Sequence, residues 1–150
     1  MIMKYKAARF LMPLFLCGGL TMGVANAAHH NEDGEEDTPL ASSMDKTSAA
    51  LKRLRKMDKS DWATGAEASR QAAAGILEGM SYIPKLVNEM PDSKEKTVAI
   101  ADFRRIMGMS YAALCELELA YIAEDQVKVD AAMKKVKGTK KEGHKKYEDE

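Results

Sequence analysis

The chain has 150 residues, with 23 basic and 23 acidic side chains, three histidines and two cysteines. That length fits a single domain with a core of its own. The charge balance, with no interleaving of aromatic and basic residues, argues against a nucleic-acid binder, and two cysteines are too few for a disulfide scaffold.

Met1 to Arg9 carries Lys4, Lys6 and Arg9, and an apolar run from Phe10 to about Val24 follows. Ala25-Asn26-Ala27 then fits the small-x-small rule for signal-peptidase cleavage, which predicts residues 1–27 as an export signal too short to span a membrane. A lipoprotein signal ranks second, because Leu16 rather than a small residue precedes Cys17. The expected location is the periplasm of a Gram-negative cell, with no membrane attachment once the signal is cleaved. Removing three basic groups leaves 20 against 23 acidic ones, a formal net charge of −3. Cys17 leaves with the signal, so Cys115 stands alone and is expected in the core as a small apolar group.

Residues 28–37, AHHNEDGEED, are polar, acidic and aperiodic, and read as a disordered tail. Thr38-Pro39 supplies a cap hydroxyl and a proline suited to the first helical position. Leu40, Met44, Thr47, Leu51 and Leu54 then keep one face of an amphipathic helix that ends near Met57. A second helix follows from Trp62 through Ala66, Ser69, Ala73, Ile76, Met80, Ile83, Val87 and Met90, with Pro84 expected to kink its last turns. Asp92 and Glu95 have capping-box spacing for a third helix, from about Ser93 to Ala123, with Ala99, Phe103, Met107, Ser110, Leu114, Leu117 and Tyr121 along one face. Glu124-Asp125 separates it from a fourth, from about Gln126 to Tyr147, with Val129, Met133, Val136, Lys140, Gly143 and Tyr147 on its stripe.

No strand signals occur, so the sequence predicts an all-α domain over residues 38–150, an up-down-up-down antiparallel four-helix bundle. Alternating directions bring the start of the first helix and the end of the fourth to one end. At about 1.5 Å per residue, Met44 and His144 then lie at nearly the same depth on helices that a closed bundle makes neighbours. His144 is also the one histidine outside the tail. A thioether and a neutral imidazole at one level of an apolar interior suit a haem iron held from both faces. Thr47 and Gly143 are small enough to leave room for a flat macrocycle, and Phe103, Met107 and Met90 supply apolar walls. Covalent attachment would need cysteines where Lys140 and Gly143 stand, so the haem expected is non-covalent, b-type and one per chain.

Three stretches carry a family resemblance. Leu40-x-x-x-Met44-x-x-Thr47-x-x-x-Leu51, Asp102-Phe103-Arg104-Arg105 with Met107, and His144-Lys145-Lys146-Tyr147 together resemble soluble periplasmic cytochrome b562 from about Thr38 to the end of the chain. The resemblance implies that Met44 and His144 are the axial ligands of the iron, that Phe103 lines the haem, and that the protein transfers electrons. The chain departs from the family pattern at Thr47, Met107, Gly143 and Lys140.

The lysines at 134, 135, 137, 140, 141, 145 and 146 read as a solvated helix face or as a docking patch for an acidic periplasmic redox partner, with Lys140 pairing a propionate. The chain is expected to be a monomer and not an enzyme, since it offers no nucleophile–base set, phosphate loop or Glu-x-x-His di-iron pattern. Two alternatives stand beside this reading. A mature terminus Ala28-His29-His30 could wrap copper or nickel in four nitrogens. A haem-free bundle could instead bind peptides or act in envelope stress.

Overall fold

The structure, a computed structural model, describes residues 38–147. The predicted signal, the acidic tail and the Ala28-His29-His30 terminus lie outside the described residues. Those residues are all-helical, in the order α1 (Pro39–Lys56), α2 (Trp62–Gly79), α3 (Lys85–Asn88), α4 (Lys94–Ile122) and α5 (Gln126–Tyr147). None of these helices is long and apolar enough to cross a membrane.

Local chemistry sets most of the boundaries. Thr38 accepts a hydrogen bond from the Ala41 amide at 3.1 Å and Pro39 opens α1, so two of the orphan groups at the helix start are dealt with. Asp61 caps α2 by accepting from the Thr64 amide at 3.1 Å. The second helix differs from the sequence expectation. It stops at Gly79, and a turn leads to the single turn of α3 after Pro84. Proline cannot donate, and its ring collides with the carbonyl four residues back, so residues 80–83 cannot stay helical ahead of it. The apolar register persists through the break because Val87, 2% exposed, still folds onto the core.

The cap of α4 is Ser93 rather than Asp92. The Ser93 hydroxyl accepts from the Lys96 amide at 3.2 Å, while Asp92 takes the Lys96 ammonium. Between α4 and α5, Glu124 adopts φ 52°, the left-handed position that usually falls to glycine. The Glu124 amide donates to the Tyr121 carbonyl at 3.0 Å and the Asp125 amide to that of Ala120 at 3.1 Å, which closes α4 in a Schellman motif. Asp125 in turn accepts from the Lys128 amide and starts α5.

The long helices pack in series, α1 on α2, α2 on α4 and α4 on α5. Early residues of each meet late residues of the next: Lys46 bonds Glu78, Arg70 bonds Glu118, and Asp102 bonds Lys146. The described residues form no comparable seam between α1 and α5.

The α1–α2 seam is built from small residues. A methyl group on Gly75 would lie 2.8 Å from the Ser43 carbonyl oxygen and collide with the Thr47 hydroxyl. On the other side of α2, Gly65 leaves room for the Tyr121 ring of α4. Ala68, Ser69 and Ala72 are fully buried, so backbones approach here where larger side chains would hold them apart. The α4 face named from the sequence is buried from Phe103 to Tyr121, around Leu114 and Leu117. Cys115 is half-buried rather than in the core, on the flank of α4 with Tyr111.

Candidate functional site

Met44 lies on the flank of α1 opposite Lys46, which α2 holds through Glu78. At about 100° per residue, Leu40 and Leu51 share that flank with Met44, and all three are half-buried apolar side chains against the core. The Met44 methyl points inward. A methyl group built onto Gly79 would lie 2.6 Å from Met44 Cε and 3.0 Å from Met107 Cε, so both thioether ends converge on the gap that this glycine leaves.

The level of His144 follows from the next contact outward. Ile106, the neighbour of Met107, has its Cγ2 3.5 Å from the position a Gly143 Cβ would take. Met44, Gly79, Met107 and Gly143 are thus linked side to side across four helices, and His144 is one residue beyond Gly143. Around α5, Glu142 and Lys146 turn toward α4, where they meet Arg105 and Asp102. His144 and Lys140 lie roughly half a turn away from them, on the flank of α5 opposite α4, and both are exposed.

The last turn of α5 is fastened firmly. The Tyr147 hydroxyl donates to Asp102 Oδ2 at 2.8 Å, with the Ala99 carbonyl oxygen 3.2 Å away, and its ring meets Phe103 edge-on at 5.4 Å between centroids. Lys146 Nζ donates to the same carboxylate oxygen at 2.8 Å, and Arg105 Nε to Oδ1 at 2.9 Å. Hydrogen bonds from Lys146, Tyr147 and Arg105 hold the Asp102 carboxyl well below the usual carboxylate range. Burial, then the bond to Asp102, pushes Tyr147 up to about 12. Charge-assisted bonds of this kind are the strong ones, and they fix the helix turn that bears His144.

The structure therefore brings Met44 and Met107 together and ties Phe103 to the turn carrying His144. Thr47 is spent elsewhere: its hydroxyl donates to the Ser43 carbonyl at 3.1 Å, with the Ala72 carbonyl at 3.3 Å, inside the α1–α2 seam. Lys140 stands at the surface beside His144 rather than on the buried stripe. Sequence reading missed Gly79, which seats Met44, and Tyr147 as the partner of Asp102. The spacing of Gly75 and Gly79, four residues apart on one helix face, was the available signal for the first.

A thioether held inward over Gly79 and an imidazole one residue beyond Gly143 come from the two helices that share no packed seam. Leu40, Leu51, Phe103 and Met107 belong to the apolar cluster that Met44 joins. No protein-family model and no curated protein sequence matches the chain.

Proposed function

We propose that the chain is a periplasmic electron-transfer protein of the cytochrome b562 type, an up-down-up-down four-helix bundle whose α1 and α5 hold one non-covalent b-type haem. In this reading Met44 and His144 are the axial ligands, and Phe103 and Met107 are apolar walls. Thr47 backs Met44 from the α1–α2 seam, and Lys140 pairs a propionate at the surface. A haem supplies a one-electron change at its iron, and a thioether opposite an imidazole favours the reduced ion. The protein's part is to hold both donors at one level, to keep water from the inner side, and to leave one edge at the surface.

The observation that carries the reading is the side-to-side link Met44–Gly79–Met107 and Ile106–Gly143, which reaches the residue next to His144. The Asp102–Tyr147 fastening supports it, since it fixes the turn of α5 that bears the imidazole. Lys134, Lys137, Lys140, Lys141 and Lys145 are exposed around His144, and they suit docking of an acidic redox partner beside the haem edge. Lys135 and Lys146 contribute less, being drawn to Glu116 and Asp102.

Titration with haem, followed by absorption in the oxidised and reduced states, tests the ligands. The unaltered protein should saturate with a low-spin spectrum. Met44→Ala and His144→Ala should each lose it. An unaltered spectrum in either variant would remove that residue as a ligand.

A further inference from the structure

The outward face of α4 bears apolar side chains that no other helix among the described residues covers. Leu119 is 65% and Ile122 60% exposed, and Tyr111, Ala112 and Cys115 continue the same stripe toward Gly108. From Gly108 to Ile122 the stripe runs roughly 21 Å along the helix. Contiguous exposed apolar surface of this kind marks a contact site.

The residues along the stripe are compatible in size and charge with a second copy of the same face. Seven positions before Cys115 stands Gly108, and seven positions after it stands Ile122. Four positions before it stands Tyr111, and four after it Leu119. Eleven before it is Arg104, and eleven after it is Gln126, at the turn holding the exposed Glu124. Two copies of α4 crossing antiparallel at Cys115 would thus set each Ile122 over a Gly108, which has open space within 4 Å of its Cβ position. They would also set Tyr111 against Leu119 and Arg104 near Glu124. The acidic residues flanking the centre are already neutralised within their own chain, Glu118 by Arg70 at 2.8 Å and Glu116 by Lys135. No unpaired carboxylate has to be buried when the faces meet.

We propose that this face of α4 is the contact between two copies of the chain, related by a two-fold axis passing beside Cys115. Such an interface is isologous, each residue meeting its counterpart's partner in reverse order. It stands against the sequence expectation of a monomer, and it is independent of the haem reading. A single helix pair buries less than a standard interface, so the dissociation constant should be on the order of micromolar.

Sedimentation of the reduced protein over a concentration range bracketing that value is the test. A monomer–dimer equilibrium is expected, and Leu119→Glu, at an exposed position, should leave only monomer. Arg104→Glu should weaken the dimer about tenfold, and adding Glu124→Arg should restore it. Diamide takes up two electrons and two protons as two thiols join. It should therefore link the dimer through a Cys115–Cys115 disulfide that Cys115→Ser and Leu119→Glu both abolish. Monomer at every concentration would overturn the proposal, as would a dimer indifferent to Leu119→Glu. Failure of the charge swap to restore association, or of diamide to link the dimer, would overturn the antiparallel register.

Discussion

The two flanks of α1 meet their surroundings in different ways. On the α2 side, Ser43 and Thr47 lie against Gly75 so closely that an added methyl has no room. On the other flank, Leu40, Met44 and Leu51 remain half-buried, and the described residues form no comparable seam between α1 and α5. The first flank gains stability from close approach of backbones. The second joins the core only in part, through side chains such as Met44, whose methyl lies over Gly79.

Changes on the packed side should cost the most. Leu117→Ala removes a fully buried side chain from the α4 core and should destabilise by about 3 kcal/mol in denaturant unfolding. Gly75→Ala gains roughly 1 kcal/mol of helix propensity but drives a methyl into the Ser43 carbonyl, so a net loss of about 1–2 kcal/mol is expected. A neutral or stabilising result would break the comparison, since it would mean that the seam yields.

Smaller effects belong to the end that bears His144. Tyr147→Phe deletes the hydroxyl that reaches Asp102 and should cost about 1 kcal/mol. The pH dependence has a definite sign. The Tyr147 value is raised to about 12 in the folded chain, against roughly 10 unfolded, so its contribution is whole below about pH 10 and is lost as pH climbs toward 12. Asp102 is lowered, so its contribution is whole above about pH 4 and is lost as pH falls further. Tyr147→Phe should therefore reduce the alkaline loss, leaving the part carried by Lys146. It should also reduce the acid loss, because Asp102 keeps only its bonds from Lys146 and Arg105, as followed by helix content against pH.

Met44→Leu sharpens the contrast further. It conserves volume at a half-buried position, so stability should move by less than about 1 kcal/mol while the low-spin haem spectrum disappears. Lys46→Ala should do least, within about 0.5 kcal/mol in unfolding, because its pair with Glu78 is solvated.

Apolar periodicity made much of this arrangement legible. The stripes of α1 and α4, the caps at Thr38 and the ends of α5 were all readable because they rest on large side chains or on hydroxyl and proline chemistry. The length of α2 was not, since Met80, Ile83, Val87 and Met90 keep the helical register while Pro84 breaks the backbone. The α1–α2 seam was also hidden, because Gly75, Gly79, Ser43 and Ala72 are buried without raising the hydrophobic signal. Glu124 gave no hint of a left-handed turn, which glycine would have announced. At the candidate site, the half-buried position of Met44 followed from the apolar stripe of α1, whereas the seat at Gly79 and the Asp102–Tyr147 fastening depend on contacts far apart in the chain.

The central claim is that the flank of α1 bearing Met44 and the flank of α5 bearing His144 share one iron. An absorption spectrum of the protein isolated from cells, reduced with dithionite and set against its haem content, tests it most directly. Sharp low-spin bands at one haem per chain are expected. A colourless protein that also takes up no added haem would contradict the account.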